Sequence, residues 1–377
     1  MAVHVFGTSY PRADFFDFNL KFLFYVGLWP DENRLSNQLY RIYQYSLFIG
    51  SIIFLISTGI GTYMSKDDVI RLLSNVDKVT ITYNYFFKIM IFLIKHEQIK
   101  CIISSILHSG DQIDVNRKYL MKIHVVMVTL LVTSITGAFQ FLAQIKGELI
   151  MDAWFPFEPK KNKLTFLAAT LIISILFVLP FMFRAIAIQG IVCSVVMYLC
   201  DQLVELQRRL KALKYSVESE TYLREEFKDI LKKHIRLMEY SKSIKSAFNE
   251  FFLVQNLAIT AELCLNALMM SLIGLEQKNH LVSFMAFLIM ALFNAFIFCH
   301  LGNNLIDESA GISLAAYEST WTSWPVDLQR DLLIVITVAQ KSLSLTAGGI
   351  ADMSMQTYAQ ALYNGYSIFA VLRDVVN

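Results

Sequence analysis

Four ionisable side chains, Asp77, Lys78, Lys88 and Arg184, stand within or at the edge of long apolar runs. Charge in such surroundings is costly to desolvate, so each marks an ion or proton path or a buried structural partner. Asp77 and Lys78 fit an outward extension of their helix, and Lys88 is long enough to snorkel to an interface. A structural role therefore ranks above transport. Nothing else is arranged for bond-making. The seven histidines do not cluster, and no HExxH, GxSxG, phosphate-loop or GxGxxG segment occurs. The five cysteines (Cys101, Cys193, Cys200, Cys264 and Cys299) include no CxxC pair and read as small residues packed in helices. No catalytic residue, metal ligand or cofactor is assigned, and the chain reads as no enzyme.

The elements that must position these residues are membrane helices. Of 377 residues, 55% are hydrophobic and 17% charged, with a mean hydropathy of +0.49. A soluble domain carries about 25% charged residues. The apolar excess is segmented into seven runs at about 40–64, 72–94, 120–145, 164–200, 247–275, 281–301 and 332–372, each long enough to span a bilayer. Pro180 interrupts the fourth, and Gly348-Gly349 divides the seventh into two halves. No cleavable signal segment is expected, because Arg12, Asp14, Asp17 and Lys21 interrupt the first 39 residues. The net charge of +2 is clustered and predicts no nucleic-acid partner.

Lys and Arg in the flanks orient the runs. With the N-terminus inside, 22 of the 33 basic residues fall in cytoplasmic segments, 8 in outer segments, and Lys78, Lys88 and Arg184 within runs. Seven spans then leave the C-terminus extracellular. A G-protein-coupled receptor has the opposite topology. It is further disfavoured by the lack of an Asp/Glu-Arg-Tyr triplet after run three, of Asn-Pro-x-x-Tyr in run seven, and of cysteine at 146–163. The expected class is an all-α polytopic membrane protein. Its segments are a cytoplasmic 1–39, spans one to four at 40–200, a cytoplasmic connection at 201–246, spans five and six at 247–301, an anchor with the start of helix seven at 302–340, and the rest of helix seven at 341–377.

The polar stretch after run four repeats apolar residues at helical spacing: Leu203, Leu206, Leu210 and Leu213, then Phe227, Leu231, His234, Ile235 and Met238. Helices four and five are thus predicted to continue into the cytosol and to join near 216–221. With 301–340 they form either a solvated hairpin or a platform for subunit packing, and the apolar stripe favours packing.

The last third carries a small-residue stretch leading to Tyr317 and Trp321 or Trp324, then Ala339-Gln340 before Leu343-Ser344-Leu345-Thr346-Ala347-Gly348, then Tyr366-Ser367-Ile368-Phe369-Ala370-Val371-Leu372-Arg373. In this order and spacing it resembles the C-terminal region of the insect odorant receptors. The aromatic-proline loop Trp154-Phe155-Pro156-Phe157-Glu158-Pro159 and the long basic fourth-to-fifth connection extend the resemblance along the chain. The related gustatory receptors carry Thr-Tyr, five residues, then Gln-Phe. Here Thr357-Tyr358 is followed at that place by Asn364-Gly365. The chain also lacks room for the co-receptor's enlarged second cytoplasmic loop, so it is similar to a ligand-tuning subunit.

The resemblance implies an odorant-gated, non-selective cation channel at the plasma membrane of a sensory dendrite. Its partners would be the odorant co-receptor in a heterotetramer, a small volatile ligand and membrane lipid. The closing motif then puts a hydrophobic gate at Val371, with Ile368, Leu372 and Val375 beside it; packing against lipid or another helix is the competing role. An apolar volatile needs an aromatic and aliphatic pocket with few polar groups. The outer helix halves offer Thr80, Tyr83, Asn84 and Phe87 on run two; Ser134, Gly137 and Phe141 at i, i+3 and i+7 on run three; Ile173, Phe177 and Phe181 on run four; and Phe284, Phe287 and Leu288 on run six. Tyr83, Asn84 and Ser134 are the polar anchors of this set, against plain helix packing for any one residue. A seven-helix transporter or a gustatory-type channel is the alternative function, although no internal repeat supports the transporter.

Overall fold

In the computed structural model, which describes residues 13–29, 38–273 and 278–376, nearly every apolar run is helical. A short helix α1 (Asp17–Tyr25) lies against the bundle and inserts Phe16, Leu20 and Leu23, while Asn19 Nδ2 donates to Ser194 Oγ at 2.6 Å. Helix α2 (Gln38–Met64) buries only the stripe Leu47, Ser51, Phe54, Leu55, Thr58 and Gly61. Its other faces present Ile49, Ile53, Ile56 and Ile60 outward, as lipid-facing helices do. Helix α3 (Val69–Ile94) starts where Asp68 accepts from the Ile70 and Arg71 amides, and bends at Lys95 into the amphipathic α4 (His96–Leu107). Helix α5 (Val115–Lys146) ends at Gly147, which takes φ +66°.

Helix α6 (Lys163–Phe177) passes through one widened turn at 178–182 into α7 (Phe183–Ala212), a continuous column of 50 residues. The widening falls on Pro180, which has no N–H for a normal turn. Helix α7 is the central post, with Ile188, Val192, Tyr198, Leu203 and Leu206 buried. Helices α8 (Glu220–Ile273, 54 residues) and α9 (Lys278–Tyr317, 40 residues) flank it. At 1.5 Å per residue, α8 is about 80 Å long, more than twice a bilayer's hydrocarbon core of about 30 Å. Both α7 and α8 run unbroken through 200 and 247, so the polar connection is built from helix extensions joined at 213–219.

Three corrections follow. The seventh run is not one span: it divides into α10 (Val326–Ala339), a hairpin of β1 (Thr346–Ala347) with β2 (Ala351–Asp352), and α11 (Met355–Val376). Gly348 and Gly349, at φ +62° and +70°, make the turn, and Asn249 of α8 holds it by accepting from the Gly348 amide, the Gly349 amide and Thr346 Oγ1. Second, the inward stripe of α8 runs Leu223, Phe227, Ile230, His234, Leu237, which leaves Ile235 exposed. Third, Lys88 does not snorkel; it is 4% exposed and points into the bundle.

Among the described residues, five helical stretches are long and apolar enough to cross a membrane: Gln38–Met64, Val115–Lys146, Lys163–Ala212, Val217–Met269 and Leu288–Tyr317. Helices α3 and α11 have spanning length, 26 and 22 residues, but are more polar, α3 because it carries Arg71, Asp77, Lys78 and Lys88.

Candidate ligand cavity

Helices α3, α5, α6, α7, α8 and α9 enclose a cavity of about 370 Å³ near the end of the bundle that carries loop 147–162. Its walls are mainly aromatic and aliphatic. Tyr85 stacks near Phe177, with centroids 6.4 Å apart, and Val128, Ile173, Ile259 and Ile297 complete much of the surface. The widened turn at Pro180 brings Met182 to the wall, where Thr136 Oγ1 lies 3.7 Å from its sulfur.

Loop 147–162 covers one end with Ile150 and Met151. The next residue fastens it. Asp152 accepts from Arg71 Nε and Nη2, both at 2.7 Å, and from Ser65 Oγ at 2.8 Å, while its own amide donates to Asn75 Oδ1 at 2.8 Å. Gly61 permits the approach, since a Cβ there would meet Asp152 O at 2.4 Å. Burial alone would push the Asp152 carboxyl up. The hydrogen bonds from Arg71 and Ser65 outweigh it and hold the group below the usual carboxylate range.

A polar cluster gathers where α3, α8 and α9 meet. Lys88 Nζ donates to Gln255 Oε1 and sits 5.0 Å from the centre of the Phe251 ring. Asn294 Nδ2 of α9 shares the same oxygen at 3.5 Å. Asn84, Gln140 and Gln189 also line the cavity, each with a buried polar atom that finds no partner in the structure, and Glu262 lines it too. Asp77, fully buried, adjoins Glu262 across the α3–α8 interface.

Of the residues singled out from sequence, Asn84, Gly137, Ile173 and Phe177 line this cavity. Thr80 is half-buried and spends its hydroxyl on Val76 O at 2.8 Å. Tyr83 instead faces α2 in a separate groove with Ile52, Ile56 and Gly59. Phe87, 50% exposed, Ser134 and Phe141, 63% exposed, turn outward from the bundle. The reason is helical phase. The inner stripe of α3 is Ile81, Asn84, Tyr85 and Lys88, and that of α5 is Thr133, Thr136, Gly137 and Gln140, each one residue away from the stripe expected. Phe181 is fully buried but packs on Phe54, at 5.5 Å, rather than on the cavity. Leu288 is half-buried and outside the lining; the side chains of Phe284 and Phe287 lie outside the described residues. Sequence reading singled out Lys88 but gave it a structural role rather than a place in the cavity, and it missed Gln255 and Asn294. The i+3 and i+7 relation of Lys88 to Tyr85 and Ile81 was the available signal.

Helix α11 packs on α8 and α9, with Tyr358 edge-on to Phe296 at 5.8 Å and Gly365 against Leu263. Val371 is 64% exposed and Ile368 half-buried, whereas the side chains of Leu372 and Val375 lie outside the described residues.

The profile of the 7tm odorant receptor family matches residues 68–366, most of the chain and all of the cavity walls. The chain belongs to that family. It is 28% identical over 178 residues to odorant receptor 10 of Aedes albopictus, covering 47% of each chain, and 31% identical over 170 residues to odorant receptor 30a of Drosophila melanogaster, covering 45% of this chain and 44% of that one. The matched stretch thus spans about half the length of these curated relatives. The fold resembles the insect olfactory receptor OR5 from Machilis hrabei in complex with eugenol, with a TM-score of 0.78 and 14% identity over 96% of this chain and all of that one. OR5 without that ligand gives a TM-score of 0.76 at 13% identity. The odorant receptor fold is therefore that of a multi-pass helical membrane protein.

Proposed function

We propose that the chain is the ligand-tuning subunit of an odorant-gated, non-selective cation channel at the plasma membrane of a sensory dendrite, assembled with the odorant co-receptor as a heterotetramer. Helices α2, α3, α5, α6–α7, α8, α9 and α11 are its seven spans, with the N-terminus cytoplasmic and the C-terminus extracellular. The observation that carries this reading is the mainly apolar cavity within the bundle, whose walls α8 and α9 are also the helices on which α11 rests. A volatile molecule filling the cavity changes the packing of both, and α11 lines the pore they support. The charged extensions serve as the subunit platform. Arg209 pairs with Glu226 and Asp229 at 2.8 and 2.7 Å, and Arg224 reaches Asp327 at 2.5 Å, which leaves Leu333, Ile334 and Val338 of α10 facing outward for a neighbouring subunit.

Whole-cell recording from cells expressing the chain with the co-receptor tests the reading. Ligand-evoked cation current that persists under G-protein inhibition is expected. Substrate-saturable uptake without current would replace the channel with a transporter.

A further inference from the structure

The polar end of the cavity specifies a ligand chemistry. Lys88 is almost wholly buried, and among the described residues no carboxylate comes within ion-pair distance of it. A lysine amine has more N–H groups than the Gln255 oxygen and the Phe251 ring face can receive. Gln255 Oε1 accepts from both Lys88 Nζ and Asn294 Nδ2. That shared acceptor fixes the Asn294 amide, because the flipped form would set two oxygens against each other. Asn294 Oδ1 is thereby left buried with no donor. Around Gln255 Oε1 the lining thus offers a surplus donor on Lys88 and a surplus acceptor on Asn294, beside apolar walls. Leaving such groups dry is costly, and a ligand that satisfies both gains what one lacking them forfeits.

We propose that the cavity selects small alcohols, with the ligand hydroxyl oxygen accepting from Lys88 Nζ and its hydrogen donated to Asn294 Oδ1. A ketone satisfies only the first group, and a hydrocarbon neither. A carboxylate has no proton for Asn294 Oδ1. The proposal rests on the cavity being the ligand site, as argued above.

The test uses three probes on one skeleton of nine heavy atoms: 1-phenylethanol, acetophenone and cumene. Binding is read as ligand-induced thermal stabilisation of the full chain in detergent, which needs no channel opening. The expected order is 1-phenylethanol, acetophenone, cumene, with roughly tenfold separating the first from the last. Lys88→Met should bring the ketone down to cumene and weaken the alcohol, leaving it only the advantage of its bond to Asn294. Asn294→Leu should lower the alcohol to the ketone and leave the ketone unchanged. Unchanged cumene binding in both variants reports an intact cavity. Equal binding of all three to the native chain, binding of none, or alcohol and ketone binding left unchanged by Lys88→Met overturns the proposal. Thr136→Phe, which fills the cavity, separates the two readings. If it weakens all three while Lys88→Met and Asn294→Leu do not discriminate among them, the alcohol proposal alone fails. If it moves none, the ligand site lies elsewhere.

Discussion

Asp111 holds four groups with one carboxylate. It accepts from Tyr198 Oη at 2.6 Å, Arg236 Nη2 at 2.7 Å and Ser109 Oγ at 3.0 Å, with Lys233 Nζ 3.5 Å away, and so ties the α4–α5 loop to α7 and α8. Removing it strands buried positive charge and a tyrosine hydroxyl, so Asp111→Ala should cost about 3–5 kcal/mol. The check is a fall in the melting temperature of the purified chain, with Asp111→Asn intermediate. Asp152 makes a second prediction. Its folded pKa lies below the unfolded value of about 3.9. The stability it contributes is complete above the unfolded value and is lost as pH falls through the folded one. Loop 147–162 should therefore hold at neutral pH and loosen as pH falls below about 3.9 and on through the lower folded value. Hydrogen exchange of the Trp154 amide, which donates to Ser57 O at 2.9 Å, should quicken relative to α7 amides after correction for intrinsic rates. Asp152→Asn should exchange fast across the whole range.

At the scale of elements, the hairpin between α10 and α11 depends on a left-handed backbone. Gly348 has φ +62°, and a Cβ on it would lie 2.9 Å from Leu253 Cδ1. Gly348→Val should cost roughly 1–3 kcal/mol and detach the turn from Asn249; faster exchange of the Gly349 amide, with α7 unaffected, would register this. In α11, Val371 belongs to the proposed gate. A polar residue in a hydrophobic constriction resists dewetting, so Val371→Ser should raise ligand-free current. Native-like current at normal surface expression would remove Val371 from the gate. The elements themselves were largely legible, since run length and Pro/Gly position mark α2, α5, α6–α7, α8 and α9. Their rotation was not. On α3 and α5 polar and aromatic residues occur on adjoining stripes, so composition fits either face, and only packing against α7 and α8 chooses Asn84 over Tyr83 and Thr136 over Ser134. Gln255 and Asn294 went unread because each is a lone amide in an apolar run, and their meaning comes from meeting Lys88 across three helices.

At the scale of the molecule, basic residues cluster on the segments that α7 and α8 extend beyond the cavity, and the topology proposed above puts that end in the cytosol. An epitope tag after Asn377 should be stained by antibody on intact cells; staining only after permeabilisation would invert the proposed topology.

The unbroken course of α8 has a mechanical consequence. A rod stiff over 54 residues does not absorb a small rotation locally; it carries it to the far tip. A tilt of about 3° pivoting at Glu262 would sweep Glu220 through roughly 3 Å. In the channel proposed above, a ligand-sized displacement near the cavity would thus arrive magnified at the subunit platform, as at the load arm of a lever.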